Sequence, residues 1–368
     1  MILLGIISEA LLYICFSVLM GSFFLYLVPE AYRPTIHVKK GILMIAASGI
    51  AIFSFIPVLQ LIFYVYHGMG FLQAFQSVLF TFEVGKAWIL TFILSSLLFI
   101  FIVWFDYTIK RLYSWIGLVL SIMLIFAFAW SSHASTLDPI VGFLTDAAHF
   151  GAVSIWVGIV FIVSWFSKDH KNWQLFLKWF TPVAIACFLL TVATGLVLMT
   201  LIIDLKEYSD AWMIPYGQSL LIKHLLIIPL LGYVFINSIL VRKRLKKDLT
   251  FDPRPWTKVE SIILLLIFSA TSALGQQSPP HNIVTIVMSE GFSKLFTFFY
   301  DIPITVDLSV QLSLNALSIS FFVLAMLFLA LMIFSFMKKA PIILSFTMSV
   351  LLVLSTYFAL MLSVTVLY

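Results

Sequence analysis

Charge is what this 368-residue chain has least of. Asp, Glu, Lys and Arg make up 10% of it, against about 25% in a soluble domain, while 62% is hydrophobic. That scarcity, with a mean hydropathy of +1.13, excludes a water-exposed globular surface. Cysteine is almost absent. Cys15 and Cys187 both lie within apolar runs, which excludes a disulfide framework and a thiolate metal cluster. Neither a G-x-G-x-x-G, a P-loop, an H-E-x-x-H nor a nucleophile elbow occurs, so the sequence is read as a non-enzyme. There is no internal repeat of the transporter kind and no lipidation motif. No basic segment precedes the first apolar run (residues 3–28), which is therefore expected to be a retained helix rather than a cleaved signal.

What is present is a series of apolar runs long enough to cross a bilayer. They predict an all-α, polytopic helix bundle of about ten spans: 3–28, 41–66, 87–105, 112–131, 140–166, 179–203, 217–241, 257–275, 312–336 and 341–367. The net charge of +5 reports orientation rather than nucleic-acid binding. Of the 21 basic residues, 17 fall in the connections after the odd-numbered spans; the others are Lys86, Lys206, Lys223 and Lys294. Basic residues collect on the cytoplasmic side, so both termini are expected outside. Two outer connections, His67–Gly85 and Ile283–Tyr300, are amphipathic and predict interfacial or re-entrant helices. Pro57, Pro182 and Pro229 fall within spans and predict kinks. The division expected is an eight-helix core over 1–280, then an outer segment and two further spans over 281–368.

Few polar groups interrupt the spans, and they gather at one end. Asp146, His149 and Trp156 share one helical stripe. An Asp at a helix centre costs about 2.5–3.5 kcal/mol on insertion scales, so ionisable groups there tend to face a bundle interior and mark a site. Five of the seven histidines fall on the outer half: His67, His133, His149, His224 and His281. His37 and His170, among lysines, read as solvated. His133 closes span 4 and His149 opens span 5, and their short connection makes those spans antiparallel neighbours. Imidazole suits copper, zinc, iron or nickel, and thioether sulfur selects Cu(I) among these. Met69, Met199, Met213 and Met288 lie on or near the same side. Spacing alone leaves structural hydrogen bonding and metal ligation equally open for His133 and His149. Glu9 and Lys223 are read as structural charges that snorkel or pair, either with each other or Lys223 with Asp146.

Asp146-x-x-His149-x-x-Ala152-x-x-x-Trp156-x-Gly158 resembles the D-x-x-H-x-x-A-x-x-x-W-x-G-G stretch of the CopD (PcoD, YcnJ-like) copper-resistance membrane proteins. Ser132-His133-Ala134 is similar to that family's Gly-His-Ala. Thr194-Gly195 and Tyr216-Gly217-x-x-Leu220-x-x-Lys223, with Asn237 further on, resemble its T-G and Y-G-x-x-L-x-x-K blocks. Glu260, and Thr271 to Pro280, resemble its closing E…T…P-P span. Ser132 and Ile159 stand where the family pattern has glycine, which predicts a looser helix contact there. The ordered set covers roughly residues 1–280.

The resemblance implies a plasma-membrane protein that imports copper from an outer-face site. His133 and His149 would hold the metal, with Asp146 orienting them or ligating in turn; His224, His281, His67, Met199 and Met213 are further candidates. No CopC-like soluble domain is read in the chain, so delivery would fall to a separate extracytoplasmic carrier. Two other readings stay open from the residues. One is a b-type haem protein with His149 and His224 as axial ligands; the other is an assembly factor that hands copper on without transporting it.

Overall fold

The computed structural model describes residues 1–280, 282–305 and 308–367, without the side chain of Met69. The chain is an all-α membrane protein, and among the described residues ten helices are long and apolar enough to span. It divides into two compact units, residues 1–201 and 202–368.

The first unit contains α1 (Ile2–Leu27), α2 (Lys40–Phe53), α3 (Phe55–Met69), α4 (Phe71–Phe80) and α5 (Glu83–Trp104). It continues with α6 (Arg111–Trp130), α7 (His133–Leu137), α8 (Val141–Phe166) and α9 (Trp173–Ile202). The span expected at 41–66 forms as α2 and α3 with a break at Ser54. Pro57, three residues on, has no N–H for the Phe53 carbonyl, and its ring crowds that turn. Pro182 lies inside the continuous α9. The connection expected to be interfacial forms α4, whose Val78 and Leu79 pack on Val58 and Ile62 of α3.

α1 is the centre of this unit, packing on α2, α6 and α8. Its contact with α8 is close enough to exclude side chains. A Cβ on Gly21 would come within 2.2 Å of the Gly158 carbonyl carbon, and one on Gly158 within 2.3 Å of the Ser17 oxygen. Ser17-x3-Gly21 against Ser154-x3-Gly158 is the small-residue pattern that lets membrane helices approach by dispersion. The loosening expected from Ile159 does not reach this crossing, because Gly158 makes it and Ile159 is fully buried beside it.

The second unit contains α10 (Pro215–Phe235), a π-helical turn (Ile236–Leu240), α11 (Val241–Leu245) and α12 (Arg254–Gly275). α13 (Ile283–Glu290), α14 (Lys294–Thr297), α15 (Ala316–Met337) and α16 (Ile342–Leu362) complete it. α10 packs on α12, and α15 pairs with α16. The expected last two spans are longer than the helices that form. Residues 312 and 364–367 leave the helices for a two-stranded antiparallel pair, β1 (Ser309–Leu312) with β2 (Val364–Leu367). β-Branched Val310, Val364, Thr365 and Val366 favour that extended form, and Asp210 fastens it by accepting from Val310 N at 2.6 Å.

Candidate functional site

The polar stripe of α8 lies beside α1 and α9. His149, half-buried, places Nδ1 3.0 Å from Thr194 Oγ1. The threonine proton is already committed, since Oγ1 donates to the Leu190 carbonyl at 2.6 Å, one helical turn back. Thr194 therefore accepts from His149, which puts a proton on Nδ1; in the neutral ring Nε2 is then the acceptor nitrogen. That is the tautomer in which a neutral imidazole ligates a metal through Nε2. Gly195 supplies the room: a Cβ there would stand 3.3 Å from His149 Cε1. The Thr-Gly pair thus has a physical meaning, one residue fixing the ring and the next admitting it. Farther along α8, Trp156 packs edge-to-face on Phe188 of α9, so His149 and Trp156 present one face to that helix.

On the α1 side, Tyr13 donates to the Glu9 carboxylate one turn earlier. Its ring lies 5.4 Å from Phe150, and its hydroxyl is within electrostatic reach of Asp146. Phe16, Phe128 and Phe150 form an aromatic floor, with Phe16–Phe150 at 4.9 Å and Phe128–Phe150 at 5.3 Å. Two carboxylates, a phenol and an oriented imidazole are thereby held at one end of three apolar helices. Sequence reasoning missed Tyr13, although its i,i+4 spacing from Glu9 was a usable signal. Glu9 was read from sequence as a structural charge that snorkels or pairs with Lys223; in the structure it accepts from Tyr13.

The remaining expected residues are dispersed. His133 is the first residue of α7 and exposed, capped by Ser132 Oγ accepting from Ser135 N. A Cβ on Gly142 would meet the Ala134 oxygen at 1.9 Å, so that glycine seats the α7 turn on α8. His67 is exposed in the last turn of α3, its ring 3.9 Å from that of Tyr66. Met199 is half-buried on α9. In the second unit, His224 Nδ1 is 2.7 Å from the Tyr208 hydroxyl. Burial pushes that phenol, in the connection before α10, up to about 12, so it stays protonated. Lys223 precedes His224, half-buried. Met213 is fully buried in the 3-10 turn before α10, where its carbonyl accepts from Ser293 N. His281 lies outside the described residues. Among the described residues, no three His, Cys, Asp or Glu side chains stand close enough together to hold a metal ion.

The chain matches two family models: "Copper resistance protein D-like, N-terminal domain" over residues 1–143, and "Copper resistance protein D" over residues 174–274. The chain belongs to the copper resistance protein D family. It is also similar to the copper transport protein CutJ of Bacillus subtilis (strain 168). The two are 26% identical over 299 residues, which is 74% of this chain and 52% of the relative. The chain thus spans about half the length of the curated relative it matches. No solved structure matches it. This family membership and the ten apolar helices among the described residues make the protein a multi-pass membrane protein of that family.

Proposed function

We propose that the protein carries copper inward across the membrane, receiving it at the end of α1, α8 and α9 where His149 stands. The observation that supports this most is the bond from His149 to Thr194, which fixes an imidazole tautomer suited to ligation inside an otherwise apolar bundle. Asp146 and Glu9 lend negative charge to the approach of a cation, and exposed His133 is the first contact for incoming metal. Copper is the substrate, passed from a separate CopC-like carrier. Glu9, Asp146 and His149 are half-buried rather than enclosed, which fits transient capture, since a site that binds too tightly does not release. The reading assigns transport rather than catalysis.

The test is copper accumulation in cells expressing the wild type or His149→Ala at equal membrane abundance. The variant is expected to lose most of the copper-dependent gain. Equal accumulation would overturn the reading. Copper flux into proteoliposomes made with purified protein separates transport from hand-over to a partner, because only a transporter fills the vesicles.

A further inference from the structure

The second unit holds a carboxyl group that the copper reading does not use. Glu260 sits in the second turn of α12 and is 4% exposed. Its side-chain partner is Asn237, whose Nδ2 donates to Glu260 Oε2 at 2.6 Å and to the Trp256 carbonyl at 3.2 Å. Those two bonds commit both amide hydrogens and fix which way the amide points. Asn237 is itself 5% exposed, and its Oδ1 is buried with no hydrogen-bond partner. It lies in the π-helical turn between α10 and α11, a distortion frequent at functional sites.

The orphaned acceptor and the buried acid explain each other. A carboxamide and a carboxylic acid pair reciprocally: the amide N–H donates to the acid C=O, and the acid O–H donates to the amide C=O. Here the first bond is in place, Oδ1 is buried without a donor, and a hydrogen on Glu260 would supply one. An ionised carboxylate would leave Oδ1 without a donor and place a charge in an apolar bundle, two costs that one proton removes together.

Other charges do not offset the ionised form. α10 carries Tyr233, bonded to Ser345, and Tyr216, Lys223 and His224 towards its opposite end. Arg242 follows the π-turn, and Lys338 and Lys339 follow α15, whose Phe336 packs on Trp256. α16 carries Tyr357, bonded to Gln218. On α12 itself, Arg254 pairs with Asp252, and Lys258 lies two residues from Glu260. Among the described residues none of these cations forms an ion pair with Glu260.

We propose that Glu260 and Asn237 form a proton-binding site within the membrane, exchanging its proton with the compartment at the basic Arg242–Lys258 end of the bundle. The proton moves from a hydronium ion in that compartment to a Glu260 oxygen and closes the pair on Asn237 Oδ1. Glu260 lies six residues into α12, about 9 Å along the helix from that end. The site stands whether or not copper is the cargo.

Infrared spectroscopy of the purified full chain tests it. The expected result is a protonated-carboxyl C=O band that is lost in Glu260→Gln, moves to higher wavenumber in Asn237→Leu as the amide bond to it is removed, and shifts on transfer to D2O. A spectrum in which Glu260→Gln removes no such band overturns the proposal, and a band that D2O leaves in place overturns the exchange. Thermal unfolding gives an independent reading. The glutamine amide supplies the donor that Oδ1 lacks, so Glu260→Gln is expected to keep or raise the melting temperature. A variant that melts lower, or fails to fold, marks an ionised structural carboxylate instead and also overturns the proposal.

Discussion

At the α1–α8–α9 end of the first unit, Glu9 and Asp146 share their surroundings with a phenol and an imidazole, and both carboxylates are half-buried. In the second unit, Glu260 is almost fully enclosed and bonded to one neutral amide. The two regions show two ways of keeping a carboxyl inside an apolar bundle. Where several polar groups share a partly open end, negative charge is tolerated and a cation is attracted. Where a single acid is shut in with an amide, neutrality is the cheaper state. The first arrangement suits capture of a metal, the second storage of a proton.

The strongest way to break this comparison is to separate the helices that build the first region. Gly158→Leu would drive a side chain into the Ser17 and Gly21 backbone, where neither helix can move aside without losing the crossing. A cost of about 3 kcal/mol or more is expected, and the loss of monodisperse protein on size-exclusion chromatography measures it. Gly151→Leu, on the same helix with open space around it, should leave the elution profile intact.

A smaller effect tests the orientation of the imidazole. Thr194→Val keeps the shape of the side chain but removes the acceptor for His149 Nδ1. Copper affinity, read by titration of the purified protein, should fall about tenfold, the scale on which partners that orient metal-binding histidines act. Thr194→Ser should restore it. An unchanged affinity in Thr194→Val would mean that the ring binds no metal through the tautomer assigned to it.

The smallest effect concerns Asp210, a carboxylate of the second unit that is neither clustered nor enclosed. Partial burial raises it above the ordinary aspartate range, although the bond from Val310 N opposes that shift. A carboxyl raised on folding withdraws stability as the pH climbs through the folded value, and the loss then stays constant up to neutrality. Asp210→Asn keeps an acceptor for Val310 N without the charge. It should melt slightly higher than wild type at about pH 7 and equally at about pH 3, where both side chains are neutral. A gain that persists in acid would show that charge is not the cause.

The class of the protein and the number of its spans were legible in the sequence because hydropathy and length are properties of each segment alone. In a bilayer every backbone polar group of a span must be satisfied within its own helix, so the run predicts the element. Boundaries were less legible where neighbours compete for the backbone. Residues 364–367 are as apolar as the helix before them and become a strand because Ser309–Leu312 lies alongside to pair with it. Asp146 and His149 were visible as ionisable residues in a span, and their helical register was readable.

What the sequence could not supply was their company. Thr194, Tyr13 and Gly195 meet His149 or its neighbours only after three helices pack, and ring tautomer follows from a hydrogen bond across 45 residues. Asn237 and Glu260, 23 residues apart, read separately as an amide and an acid. Their pairing, and the one acceptor it leaves unanswered, exists only where α12 folds back against the π-turn. Sequence decides which side chains enter the membrane, since transfer free energy belongs to the residue. Tertiary structure decides what each can do there, since hydrogen bonds and burial belong to pairs and their surroundings.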